Sequence, residues 1–579
     1  MPTITIGHRD LCALTDLQMT IEEIKQRLFL MKCEAEVLGV AERETALSVE
    51  VAADRIDLLS VEGIAREIKG LTGVELGPPN YPITHSNIIV ELNSRVQPIR
   101  PFSYCAIVEG VKLDEVTYHS LMQLQERLHE SHCRGRRKAA IGVYNLDTLR
   151  PPMRYTALPP KEIRFTPLIL ESHSIDSQEF ASPERFGEMN AKEILTKHPA
   201  GIKYGDLIAS LPEFPLLMDS KGQILAMPPI INSEETRVVM ETPETRGTRN
   251  LFIDVSGFDE KILSQALNVI VTSLAERGGT IKTVTMVYPD REVISPDLIP
   301  QTMELKIEQA NNLIGLSLNS QEMVECLEMM RLRVLTEKDD FLEVEIPAYR
   351  ADFLHEYDLI EDIAIAYGYD RLIPILPKVV TTGKETEKSV LIRDVRDIMV
   401  GLGFIELANY VMTNEEILFD RMELPRKPVV EVLNPKPARF TVLRNWLLPG
   451  AMHFLEANIE YPYPQKVFEV GDIVLLDESE ETKTRTVLNV AGAICNPKGA
   501  ELSEIYGVVN SLLTNLGVNY ILSDKTHKSF IPGRVFAITV GQDEVGLFGE
   551  LHPQVYSVNF QIRKPVACFE LELWKLFPV

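Results

Sequence analysis

No apolar run in this 579-residue chain approaches the ~18 residues that a membrane-spanning helix needs. Its first residues, MPTITIGHRDLCAL, lack both the basic start and the apolar stretch of a signal peptide. Cysteine is sparse: Cys12, Cys33, Cys105, Cys133, Cys326, Cys495 and Cys568 are odd in number and never form C-x-x-C. That pattern speaks against a disulfide framework or a structural zinc and for a reducing compartment. The expectation is a soluble cytoplasmic protein without membrane contact. Positive charge is also in deficit, with 59 Lys and Arg against 84 Asp and Glu and a net charge of −25. Such a surface is not coated in non-specific nucleic-acid contacts. A repeat of solenoid period is absent as well.

The length suggests roughly three to five domains. Three stretches read as boundaries: LGPPNYPITHSN from Leu76, YPDREVISPDLIPQ from Tyr288, and IPILPKVVTTGKETEKS from Ile373. Helical spacing appears in TIEEIKQRLFLMKCEAEVLG, SVEGIAREIKGLTG and SQEMVECLEMMRLRVL, and strand-like runs in YCAIVEGVKL, FLEVEIPAYR and QKVFEVGDIVLL. The class is therefore α+β in several modules. One basic cluster, Arg134, Arg136, Arg137 and Lys138 in HCRGRRKAAIG, reads equally well as a solvated loop or a phosphate contact. In HESHC, His129, His132 and Cys133 sit at a helix end with no fourth ligand and do not make a metal site.

The most acidic element is PAYRADFLHEYDLIEDIAIAYGYDRLIP, from Pro347. On a helix, Asp358, Glu361 and Asp362 fall in one sector, with Ile365 among them, while Leu359, Ile360, Ile363, Ala364 and Tyr367 take the other side. Asp352 precedes the helix and folds back over the acidic sector in this reading. Converging carboxylates repel one another, and a hard divalent ion such as Mg²⁺ relieves that repulsion. For an arbitrary helix, a solvated acidic first turn is the more common explanation.

Longer segments carry a resemblance. ADRIDLLSVEGIAREIKG, RADFLHEYDLIEDIAIAYGYDRL, LNPKPARFTVLRNWLLPGAMHFLEANI and GELHPQVYSVNFQIRKPVACFELEL occur in the order found in the β subunit of phenylalanyl-tRNA synthetases. Chain length, GRRKAAIGVYNLD and MPPIINSE match the archaeal and eukaryotic type. The resemblance implies an N-terminal α+β domain over 1–85, an editing domain over 86–290, and a winged-helix-like domain with the acidic helix over 291–378. A class II synthetase-like, non-catalytic domain would follow over 379–579. It implies a Mg²⁺ site, shared with an α subunit, at Asp352, Asp358, Glu361 and Asp362; a basic face of that partner would satisfy the same carboxylates.

In the last block, the strand matching the second class II signature carries Glu469 and Asp472 without a phosphate-binding arginine, and Arg534 is isolated. Charge developing on the α-phosphate would lack its stabilisers. ATP and the charging chemistry are accordingly expected on the α subunit of an α₂β₂ enzyme acting on tRNA(Phe). Leu447, Leu448 and Pro449 match the first signature and are equally core or subunit contact.

A pocket that fits phenylalanine rejects tyrosine by only ~10²-fold, so a second, hydrolytic site for Tyr-tRNA(Phe) is rational. In NLFIDVSGFD, alternation puts Leu251, Ile253 and Val255 on one face and Phe252, Asp254 and Ser256 on the other. ILAMPPIINSEE offers Asn232 and Ser233 at a proline-stiffened turn. The resemblance implies an editing pocket from Asn232, Ser233, Asp254 and Ser256; without it, Asp254 reads as a hydrogen-bonded strand end before Gly257. No Ser-His-Asp or Cys-His arrangement is legible, which points to water-mediated hydrolysis helped by substrate groups and backbone donors. A nucleic-acid-binding module and a free-standing deacylase are the alternative readings.

Overall fold

The strand Leu251–Gly257 shows how the largest sheet is built. In the computed structural model, which describes residues 2–41, 44–169, 186–437, 439–499 and 501–577, every residue of this strand is buried. Leu251, Ile253 and Val255 enter one hydrophobic core, against Leu263, Leu267 and Ile270 of the helix Glu260–Glu276. Phe252 enters a second core on the opposite face, with Tyr144, Val90 and Met286. The alternation read from sequence is thus a strand covered on both sides.

The chain divides into two units, Met1–Leu376 and Pro377–Val579. In the first, the ten-stranded sheet runs from Ile231–Asn232 through Ile224–Met227, Phe214–Met218, Met153–Leu158, Ile83–Leu92, Thr280–Val287, Phe102–Glu109 and Leu251–Gly257 to Ala139–Asn145, with Glu292–Ser295 beside Thr280–Val287. Ile83–Leu92 pairs in parallel with two neighbours, and the other pairings are antiparallel. The sheet curls until its two ends meet: Asn232 Nδ2 donates to the Val143 carbonyl at 3.3 Å. Residues 85 and 86 lie inside the continuous strand Ile83–Leu92; Pro78, Pro79 and Pro82 mark its approach.

Two smaller sheets complete this unit. Thr3–Gly7, Glu44–Glu50 and Glu34–Ala41 form one, and Gln301–Lys306, Phe341–Ile346 and Arg333–Glu337 the other. The helix expected from Thr20 runs Ile21–Leu30, closed by a capping box between Thr20 and Glu23, and Glu34–Ala41 that follows is strand. Likewise the helix expected from Ser320 ends at Met329. Arg331, at φ 62°, turns the chain into the strand Arg333–Glu337, where Val334 pairs with Val344.

The second unit holds a seven-stranded sheet, antiparallel except for Ile405–Glu406 beside Gln465–Leu476. Helices Glu387–Gly401 and Leu502–Asn515 cover one face, through Val395 and Leu512 against Phe468 and Phe548. Leu448–Ala457 covers the other, and Leu447, Leu448 and Pro449 are buried in the core there. The overall class is mixed α/β with several sheets.

Candidate active site

A cavity of about 970 Å³ runs from the meeting ends of the large sheet to Thr5, Gly7 and Asp10 of the N-terminal segment. Its walls include Ile141 to Tyr144 from one edge strand, Pro228 to Asn232 from the other, and Asp254 from the strand paired with the first. The volume suits a ligand of nucleoside or aminoacyl size.

Asp254 is only 2% exposed. Tyr144 donates its hydroxyl to Asp254 Oδ1 at 2.5 Å, while Oδ2 has no hydrogen-bond partner among the described residues. Gly142 stands opposite Asp254 in the register. A Cβ there would lie 2.4 Å from Oδ1 and 2.1 Å from the Tyr144 hydroxyl. Burial pushes the Asp254 carboxyl up to about 7, against the Tyr144 hydrogen bond and the Arg100 charge, which lower it.

Asn232 lines the cavity beside Asp254. Ser233 and Ser256 do not. Ser233 is buried and its hydroxyl accepts from Glu235 N. Ser256 turns to Arg100, whose Nε reaches its hydroxyl at 3.3 Å and whose Nη2 reaches its carbonyl at 2.6 Å.

His129 and Arg136, read separately from the sequence, meet Glu126 and Tyr204 in a second cluster at the same cavity. Glu126 accepts from His129 Nδ1 and Arg136 Nη2, each at 3.2 Å, and from the Tyr204 hydroxyl at 3.2 Å. His129 Nε2 accepts from Ile141 N at 2.8 Å, which places the ring proton on Nδ1. Burial, joined by the nearby Arg136 charge, pushes His129 down to about 4, so the ring is neutral. Burial alone would raise Glu126, but the His129 hydrogen bond and the Arg136 charge outweigh it and hold the carboxyl well below its usual range. A carboxylate so saturated is a poor base.

Arg136 also donates to the Pro229 and Ile230 carbonyls and lies over the Tyr204 ring at 4.2 Å. It points inward because Arg134, Gly135 and Arg136 all adopt positive φ (49°, 60° and 63°); Arg134 and Arg137 stay exposed. The one available signal was the glycine inside RGRR. Cys105, opposite Asp254 in the register, is pushed well above its usual range by burial and is inert as a nucleophile. The arrangement leaves one carboxyl oxygen of Asp254 without a protein partner beside a cavity, with no nucleophile and base paired for attack among the described residues.

Residues 303–369 match the family model of the tRNA synthetase B5 domain, and residues 373–573 that of the phenylalanyl tRNA synthetase beta chain CLM domain. A Pyrococcus furiosus protein named phenylalanine–tRNA ligase beta subunit is 39% identical over 578 residues, covering 100% of both chains. The chain belongs to the phenylalanine–tRNA ligase beta-subunit family. A Methanothrix thermoacetophila member is 36% identical over 573 residues, 99% of this chain and 100% of its own. The crystal structure of an N-terminal fragment of the Pyrococcus horikoshii phenylalanyl-tRNA synthetase beta subunit is also similar. It is 38% identical at a TM-score of 0.58, covering 64% of this chain and 100% of the fragment.

Within this beta-subunit chain, the acidic helix Glu356–Tyr367 departs from the arrangement read from sequence. Its four singled-out carboxylates do not converge on one point. Arg350 Nη2 lies 2.8 Å from Asp352 and 2.9 Å from Asp362. Asp358 Oδ2 caps its own helix, accepting from Leu354 N at 2.7 Å and His355 N at 2.8 Å. Glu361 pairs with Lys32 at 2.9 Å. Burial pushes Asp362 up to about 7 despite Arg350 and Arg55.

Arg55 sits behind, bidentate to Asp57 and 3.2 Å from Glu67, a purely ionic contact because no N–H points along it. The described residues hold no group of three or more acids, histidines or cysteines placed for one ion. In this arrangement the donors do not fit Mg²⁺. The sequence reading lacked cations because Lys32 and Arg55 arrive from about 300 residues away, and because Arg350 was not seen to be shared.

In the second unit, an arginine does reach the strand Gln465–Leu476, from outside the matching segment. Arg444 Nη1 meets Glu469 Oε1 at 2.5 Å and its Nε donates to the Asp472 carbonyl, while Asn409 holds the other Glu469 oxygen. Arg534 pairs with Glu550 at 2.5 Å. Arg444 is buried and matched by Glu469, so it is not free for a phosphate, while Arg534 stays exposed at its pair with Glu550.

Proposed function

We propose that the cavity of the first unit is a hydrolytic site for tyrosine esterified to tRNA(Phe), in a chain that acts as the β subunit of an α₂β₂ phenylalanine–tRNA ligase. The α subunit carries ATP, its Mg²⁺ and the charging chemistry, and the enzyme works in the cytoplasm. One observation carries the hydrolytic reading: a nearly dry carboxyl, Asp254, leaves one oxygen unpaired in a cavity of ligand size. A ligand ring that displaces cavity solvent from this oxygen leaves an unpaired acceptor, which is costly, and a phenolic hydroxyl completes it. A phenylalanine-sized charging pocket cannot supply that discrimination itself.

Water adds to the ester carbonyl and the bond to the ribose oxygen breaks. One proton passes to that oxygen, one to solvent, and tyrosine leaves as its carboxylate. With Glu126 saturated and His129 neutral and engaged at both nitrogens, the water is activated by substrate groups and backbone donors rather than by a side-chain base. The buried pairing of Arg444 with Glu469 supports a non-catalytic role for the class II-like unit. The acidic helix is read as an internal ion-pair junction, with Arg350 in the place of a metal ion.

The test compares wild type with Asp254→Ala in the purified α/β complex, following Tyr-tRNA(Phe) deacylation and Phe-tRNA(Phe) synthesis together. Deacylation is expected to fall by about 100-fold or more with synthesis retained. Equal deacylation in both proteins would end this reading. Deacylation by the β chain alone would favour a free-standing deacylase.

A further inference from the structure

Asp254 does not hold its own orientation. Its carboxyl sits on a strand flanked on both sides, and the single hydrogen bond that fixes its plane comes from Tyr144. The Tyr144 ring is itself enclosed: 1% exposed, and tilted against Phe252 with centroids 6.0 Å apart. The two side chains meet only because residue 142 is glycine. Any Cβ at that position would overlap both the Tyr144 hydroxyl and Asp254 Oδ1.

Resting on the hydrolytic reading above, we infer that Tyr144 and Gly142 are positioning residues that pin Asp254 Oδ1, so that Oδ2 alone faces the cavity and accepts the phenolic hydroxyl of a tyrosyl ester. Selectivity follows from the geometry. A tyrosyl ring supplies the missing donor, whereas a phenylalanyl ring of the same shape leaves Oδ2 desolvated and unpaired. Without the Tyr144 hydrogen bond the carboxyl is free to turn both oxygens away from the ligand ring, and the penalty against phenylalanine shrinks. Tyr144 converts a buried acid into a one-sided acceptor.

The groups facing Asp254 are Tyr144, Cys105 across the neighbouring strand, Tyr155 and Arg100. Burial keeps the two tyrosines and the cysteine neutral, with pKa values raised above their usual ranges. Arg100 stays charged, so Asp254 is the group among these that titrates near neutrality. Since the Tyr144 hydrogen bond lowers the Asp254 pKa, removing it drives the acid upward.

The experiment measures hydrolysis of Tyr-tRNA(Phe) and Phe-tRNA(Phe) by the α/β complex carrying Tyr144→Phe, Gly142→Ala or Asp254→Ala, across pH 5.5–8.5. Tyr144→Phe is expected to cut the tyrosyl-to-phenylalanyl rate ratio by about tenfold and to move the rising limb of the tyrosyl profile to higher pH. Gly142→Ala lowers the same ratio. Because a ratio does not depend on the fraction of folded protein, damage to the fold cannot imitate the result. An unchanged ratio and limb in Tyr144→Phe overturn the positioning role. Tyrosyl hydrolysis that survives Asp254→Ala overturns instead the reading on which it rests.

Discussion

Asp254 in the first unit and Glu570 in the second are both buried carboxyls, and burial pushes each up to about 7. Their surroundings differ. Glu570 accepts from Leu447 N, Leu448 N and Asn489 Nδ2 at 2.8–3.0 Å, closing the start of the helix Leu448–Ala457. Asp254 accepts from Tyr144 alone and borders a cavity. A perturbed acid is therefore no mark of function by itself. What separates the two is an unsatisfied oxygen with space in front of it. The arginines divide in the same way: Arg136 shapes a cavity wall, whereas Arg444 is consumed by Glu469.

Asp362 is a third buried acid, and it sharpens the comparison because its partner is a charge rather than a neutral donor. Arg350 is shared between Asp362 and Asp352, so Arg350→Leu strands both acids. A loss of about 3–5 kcal/mol is expected in the first unit, read as weakened hydrogen-exchange protection in the helix Glu356–Tyr367. A change within about 0.5 kcal/mol would mean that the junction is not held by this arginine.

The Glu570 contrast predicts a smaller, pH-linked effect. Folding raises this carboxyl from 4.5 to about 7. Its stabilising contribution is complete below pH 4.5 and is lost as pH rises through 7, at up to about 1.4 kcal/mol per pH unit. Both tryptophans, Trp446 and Trp574, lie in the second unit, so their fluorescence in urea reports that unit alone. Wild type should lose stability from pH 5 to 7 and Glu570→Gln should lack that slope. A slope that persists in the variant would assign it to another group.

Much of this was legible from local pattern. Alternation placed Asp254 and Phe252 on one face of a strand, and helical spacing found the helix Ile21–Leu30. Local pattern failed where the chain folds back on itself. The strand Arg333–Glu337 was absorbed into a helix because LRVL continues an apolar spacing, and only pairing with Phe341–Ile346 distinguishes it. Ser233 and Ser256 carry the right hydroxyls, but neither lines the cavity. Glu126, Arg136, Tyr144 and Tyr204 come together only when the sheet curls end to end. Spacing in one dimension does not encode that closure, nor the pairing of Lys32 with Glu361.

The last comparison sets an ion pair against a metal ion at the same acids, and it carries the smallest expected effect. A bound Mg²⁺ at 100 times its dissociation constant would add about 2.7 kcal/mol of local stability. With Arg350 already between Asp352 and Asp362, and Asp358 committed to Leu354 N and His355 N, no such gain is expected. Hydrogen exchange over residues 350–367 of the α/β complex should therefore be the same in EDTA and in excess Mg²⁺. Slower exchange with the ion would restore the metal reading and require Arg350 to release its acids. The Arg350→Leu complex makes the stricter case: if protection there becomes Mg²⁺-dependent, the carboxylates are competent ligands that the arginine displaces. If it does not, their spacing rather than their occupancy excludes the ion.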